Sequence, residues 1–230
     1  MHAIFDRALV PDPFATLLPS EGEAAAGAPS YLRQRRRRAA ILATTRRLLA
    51  SGDEDFTLRR VAERSEVTVQ TLRNSFGRRD ELMVSAINDH TSAVWEALGR
   101  LDAGPLLFLN LAEMYFHCAT GTPEFLRAMV TSAVSNTPAL GRAQRHGSAI
   151  KTGHLRRMAR EGVLRPTAEV EALAAQITRL NTFTMYEWAS GGDALELRRE
   201  LAVGNKLLLL GAVNPQHAAE IEAWAPSQAA

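Results

Sequence analysis

The chain of 230 residues is predicted to fold as an all-α protein, on three observations. Apolar residues recur at helical spacing in segment after segment. No stretch shows the alternation of a convincing strand. Glycine and proline stand where the periodic segments stop. With 46% hydrophobic and 23% charged residues, the composition suits a globular protein with a sizeable core.

In chain order, residues 1–30 carry Pro11, Pro13, Pro19 and Pro29 and the run EGEAAAGAPS, and read as a disordered leader. The first strong helix covers about 31–51, with Ala40, Ile41, Thr44, Thr45, Leu48 and Leu49 as its stripe and Gly52 as its stop. Thr57 is a good N-cap for a helix over 58–64, whose inward face is Leu58, Val61 and Ala62. After the turn Ser65-Glu66-Val67, Thr68 caps a helix over 69–75 with Leu72 and Phe76 inward. Gly77 breaks it, and a long helix over 80–101 follows. Further helices are expected over 105–120, 123–135, 138–161, 167–190 and 193–213. The domain organisation read from this is a leader (1–30), a three-helix domain (31–82), a larger helical domain (83–215) and a tail (216–230).

Net charge is only +2, but it is unevenly spread. Residues 31–79 hold 13 arginines against 5 acids, a local excess of +8. Clustered positive charge is the electrostatic footprint of a nucleic-acid binder. Arg33 and Arg35 to Arg38, Arg36 and Arg37 among them, open the first helix. There they oppose the helix dipole, and a polyanionic partner would compensate.

Two short helices joined by a tight turn form a candidate helix-turn-helix, which places its second helix in the major groove of double-stranded DNA. That helix begins at Thr68, and its outward positions are Val69, Gln70, Thr71, Arg73 and Asn74. Gln and Asn can bond adenine edges, Arg can bond guanine, and Val69 could touch a thymine methyl. Thr57, Arg59, Thr71, Arg78 and Arg79 suit phosphates, the last two at a helix start whose N–H groups also favour an anion.

The stretch TLRRVAERSEVTVQTLRNSFGRRDEL resembles the DNA-binding domain of tetracycline-repressor (TetR) family regulators. The residues carrying the resemblance are Thr57, Arg59, Val61, Ala62, Val67, Thr68, Thr71, Leu72, Phe76, Arg79, Asp80 and Leu82, over about 38–87 with the preceding helix. Three departures stand out. Glu66 occupies a turn position where the family usually has Gly, so a left-handed conformation there costs about 1 kcal/mol. Val69-Gln70 replaces a usual Lys-Gly, and Arg73 and Ser75 replace aromatic residues. The resemblance implies an all-helical ligand-binding and dimerisation domain behind the reading head, and a homodimer formed through the helices over 167–190 and 193–213. It also implies a small effector, apolar or amphipathic, that releases a repressor from a pseudo-palindromic operator. An activator, or a regulator without a ligand, is the alternative.

Candidate ligand contacts in the larger domain are Phe108, Leu111, Met114, Tyr115, Cys118, Phe125, Met129, Phe183 and Tyr186. The basic segment Arg142, Arg145, His146, Lys151, His154, Arg156, Arg157 and Arg160 reads as a solvated helix face, with an anionic headgroup as the alternative reading. An all-α enzyme is the remote reading. No H-E-x-x-H, phosphate loop or G-x-S-x-G occurs, and no catalytic residue, metal or cofactor is expected. Cys118 is the only cysteine, so no internal disulfide forms. No apolar run approaches a membrane span, and the first residues, with Asp6, Arg7 and Asp12, do not read as a signal peptide. A soluble cytoplasmic protein without a membrane partner is expected.

Overall fold

The computed structural model describes residues 30–51, 56–99, 104–134 and 140–225. The expected leader lies outside them apart from Ser30. Among the described residues are ten α-helices: α1 (Ser30–Ala50), α2 (Leu58–Arg64), α3 (Val69–Phe76), α4 (Arg79–Gly99), α5 (Leu106–Gly121), α6 (Pro123–Val134), α7 (Leu140–Arg160), α8 (Val170–Ala189), α9 (Ala194–Ala212) and α10 (Ala218–Ala223). The single β-bridge among them joins Leu164 to Val213.

The first three helices close around a small core of Ile41, Leu42, Leu48, Phe56, Val61, Ala62, Leu72 and Phe76, to which α4 adds Leu82 and Ala86. Both predicted caps are made. Thr57 accepts from the Arg60 N–H at 3.3 Å and Thr68 from the Thr71 N–H at 3.0 Å. The turn between α2 and α3 is a left-handed helix stop. The Val67 N–H reaches back to Ala62 O, the Glu66 N–H to Glu63 O, and Glu66 takes φ 53°. The end of α7 repeats these bonds, from the Val163 N–H to Met158 O and from the Gly162 N–H to Ala159 O, but there Gly162 takes the left-handed φ of 72°. The same backbone motif is thus built once on glycine and once on glutamate.

Continuous helix α4 joins the two parts, so the expected boundary at residue 82 falls inside it. Arg46 of α1, fully buried, donates to Asp89 Oδ2 at 2.8 Å and to Ala86 O on α4. Phe125 of α6 packs against Val84 and Ile87, with Leu49 and Ala50 of α1 beside them. The main core gathers α4 to α10 around α5, whose residues 107–116 are all buried. Strand-like pairing clasps the two ends of the α8–α9 hairpin: the Arg165 N–H donates to Ala212 O at 2.8 Å and the Asn214 N–H to Val163 O at 2.9 Å.

The expected tail, residues 216–230, is helical over its first part. A 3-10 turn (Pro215–His217) leads into α10, where Ile221 is fully buried, and the Trp224 Nε1–H donates to Asn110 Oδ1 at 3.3 Å. One apolar residue per turn was too faint a stripe to read as a helix.

Candidate nucleic-acid interface

The N-terminal end of α3 is set by its cap. Thr68 Oγ1 and Thr71 Oγ1 lie 2.9 Å apart, so the hydroxyl that caps α3 also holds its neighbour in place. Gln70 and Asn74 are exposed and bonded to each other, Nε2 to Oδ1, at 2.8 Å. Val69 is half-buried and packs on the small core, which leaves less of it for an outside contact than the sequence suggested. Arg73 stands in the last turn of α3. It lines a groove of about 430 Å³ with Leu58, Gly77, Arg78 and Arg79.

Two expectations about the start of α4 change. The Arg78 N–H donates to Glu81 Oε2 at 2.6 Å, so the chain's own carboxylate already serves that helix end. Arg79 donates from Nε to Phe56 O at 2.7 Å, lies over the Phe56 ring and pairs with Asp80, while half of its side chain stays exposed. It is therefore a clamp as well as a surface cation. Arg59 is exposed and paired with Glu63, and Thr57 is exposed. On α1, Arg37 is exposed and Arg36 half-buried. Arg38, read from the sequence only as one of the basic run that opens α1, has a specific place. Its guanidinium lies 4.3 Å from the centre of the Phe76 ring and donates to Ser75 O, which brings the arginine-rich start of α1 beside the end of α3.

Behind the head, Glu113 of α5 and Arg198 of α9 form a buried, two-pronged ion pair at 2.7 and 2.6 Å. Arg198 also lies over the Phe116 ring at 4.6 Å. Asn205 donates to Phe108 O at 3.1 Å, a second polar tie between the same helices.

No family model matches the sequence, and no curated protein matches it either. Solved structures do. A TetR-family transcriptional regulator from Pectobacterium atrosepticum superposes with a TM-score of 0.66 at 21% identity, over 80% of this chain and 98% of that one. The fold is that of the TetR family. SmeT, the repressor of the Stenotrophomonas maltophilia multidrug efflux pump SmeDEF, matches with a TM-score of 0.60 at 16% identity, over 83% and 94% of the two chains. A TetR regulator from Rhodococcus sp. RHA1 gives 0.59 at 19%, over 77% and 98%.

Within this TetR fold the expected ligand contacts separate into three places. Phe108, Leu111, Met114 and Tyr115 line up on α5 inside the main core, with Cys118 and Met129 packed partly buried against it. Burial pushes the Tyr115 hydroxyl above its ordinary range and the Cys118 thiol up to about 11. Phe125 belongs instead to the contact between α6, α4 and α1. Phe183 and Tyr186 are not interior at all: they are 62% and 44% exposed on the outer face of α8. Helical spacing alone does not say which stripe of a doubly apolar helix turns inward, because a face kept for a partner has the same chemistry as a core face. The basic segment divides as well. Arg145, Arg156 and Arg160 are exposed, but Lys151 and His154 are buried, so this is not simply a solvated face. Arg142 and His146 lie outside the described side chains. No described helix is long and apolar enough to cross a membrane.

Proposed function

We propose that this chain is a TetR-family transcriptional regulator that binds double-stranded DNA through α2 and α3 and acts as a homodimer. The observation that carries the reading is the capped α3, presenting Gln70 and Asn74 outward beside a groove lined by Arg73, Arg78 and Arg79. In this reading Val69, Gln70 and Asn74 meet base edges, and Arg36, Arg37, Thr57, Arg59, Thr68, Thr71, Arg78 and Arg79 meet phosphates. Sharing a groove with two other guanidinium groups favours a phosphate for Arg73 over the guanine edge expected from the sequence. Gln70 and Asn74 exchange their mutual bond, worth about 1 kcal/mol net, for bonds to DNA.

The dimer reading rests on the exposed apolar side chains of α8 and α9: Phe183, Tyr186, Leu195, Val203 and Leu207, each 44% to 66% exposed. Gly204 supports this pairing, since a Cβ there would stand 2.5 Å from Leu180; the close approach makes the hairpin one slab. Two such slabs packed face to face would space two reading heads for a pseudo-palindrome. The chain would act as a repressor, released when a small apolar or amphipathic effector prefers a wider spacing of the heads. Such an effector acts only through its difference in affinity for the two states.

The test is binding of the purified protein to its own upstream DNA at moderate salt, with its mass followed by sedimentation. Specific binding by a dimer is expected, with Leu207→Glu giving a monomer that loses the operator. Equal affinity for random DNA would sink the regulatory reading.

A further inference from the structure

Lys151 and Lys206 are the only lysines in the chain, and Lys151 is 5% exposed. It lies on α7 with its Nζ 5.3 Å from the centre of the Trp95 ring on α4. No carboxylate or other hydrogen-bond acceptor meets it among the described residues. Lys206, by contrast, donates to Glu222 O at 2.7 Å and to Trp224 O at 3.4 Å. The seam that holds Lys151 is closely built. Gly147, one turn earlier on α7, has no side chain, and a Cβ there would stand 2.5 Å from the Trp95 indole. His154, one turn later, is used on both nitrogens. Arg157 donates to its Nδ1 at 2.9 Å, so Nε2 carries the proton and donates to Gly104 O at 2.6 Å. Arg156 is held by Glu171 at 2.7 Å. The charges named beside it are therefore engaged, and Lys151 has no counter-ion among the described residues.

An unpaired buried ammonium is costly. Burial pushes its pKa down to about 8. Asn181 of α8 is a second unpaired group, 3% exposed with neither amide atom bonded.

We infer that Lys151 is the anchor for the carboxylate head of an amphipathic effector whose apolar body lies inside the α4–α10 domain. The inference rests on reading that domain as a sensor. A single ammonium suits a monoanion. A phosphate head carries close to two charges and would call on cations that are already engaged here.

The probes are octanoate, dodecanoate and hexadecanoate, each compared with the alcohol of the same chain length, read by tryptophan fluorescence. At least one acid should bind roughly tenfold or more tightly than its alcohol, and Lys151→Met should abolish that preference while keeping a cooperative melt. In protein labelled at lysine Cε, the acid but not the alcohol should move the Lys151 carbon signal and leave that of Lys206 unchanged. Equal binding of acid and alcohol, no binding of either, or a preference that survives Lys151→Met would each overturn the inference. Operator binding by the same preparation separates the two readings. Intact operator binding without an acid preference sinks only the inference. A clear acid preference without operator selectivity sinks the regulatory reading and leaves the carboxylate site standing.

Discussion

In the α1–α3 head, Arg37, Arg59, Arg73 and Arg78 stand in solvent around an apolar core, whereas in the α4–α10 domain Glu113, Lys151 and Arg198 lie inside it. The exception in the head, Arg46, faces α4 and is paired with Asp89. Outside charges cost little to hold and remain free to meet a polyanion. Inside charges must be paired within the fold or left waiting for something to pair with. The domain behind the head contains both kinds: Glu113 and Arg198 satisfy each other, and Lys151 has only a ring face. Two burials of similar depth therefore have opposite consequences, and the partner rather than the burial decides between them.

The largest expected effect tests the paired charge. Glu113→Gln removes the carboxylate that meets the buried Arg198 guanidinium and should cost about 3–5 kcal/mol in urea unfolding. The double variant Glu113→Leu with Arg198→Met should recover most of that loss, because the desolvation cost of both ions disappears together. If the double variant were no more stable than the single one, the pair would be contributing attraction well beyond its desolvation.

Next comes the unpaired charge. Lys151→Met removes a penalty on the order of 3 kcal/mol, offset by the roughly 1 kcal/mol attraction to Trp95, for a net gain of about 2 kcal/mol near pH 7. The sign with pH follows from a folded pKa of about 8, below the ordinary 10.5. Below pH 8 both folded and unfolded lysine are charged, and the fold bears the full cost. From pH 8 to 10.5 the unfolded chain holds the proton that the folded one has released, so wild-type stability climbs relative to the variant. Cys118, whose thiol is held up near 11, pulls the other way above pH 9, and comparing the two proteins cancels it. Thermal melts across this range should show the gap closing; a constant gap would mean that Lys151 titrates normally.

In the head, Arg73→Ala and Arg79→Ala should each weaken DNA binding by about 1–3 kcal/mol. If both meet phosphates, each lowers the salt slope by about one unit without changing sequence preference. A change of preference with Arg73→Ala alone would restore Arg73 to base reading. Arg79→Ala should also loosen the fold, since its Nε holds Phe56 O. The smallest effect concerns the two helix stops. Glu66→Gly should stabilise the head by about 1 kcal/mol by relieving the left-handed strain that Gly162 does not have. No change in melting temperature would mean that the added freedom of the unfolded glycine offsets the relief.

The α1–α3 head was legible in the sequence because its determinants are local. Thr57 and Thr68 cap helices a few residues away, Gly77 stops one, and Val61, Leu72 and Phe76 form a core within a short stretch of chain. Nine helices were expected close to where they lie, since periodicity and punctuation act within a turn or two. The expected ligand contacts lie in less uniform surroundings than the sequence suggested. Phe183 and Tyr186 have the composition of a lining and the position of a surface. Lys151 and His154 were read with exposed arginines because a charged residue gives no sign of its burial.

What the sequence determined by itself is therefore the all-α class, the helix-turn-helix and its caps, and the arginine-rich face of α1, all set by bonds and patterns between near neighbours. The tertiary structure alone decided which apolar stripe of α8 turns outward, that Glu113 meets Arg198 across the core, and that Lys151 is buried without a counter-ion among the described residues. Those outcomes depend on which helix packs against which. They are set by residues far apart in the chain, and no local spacing encodes them.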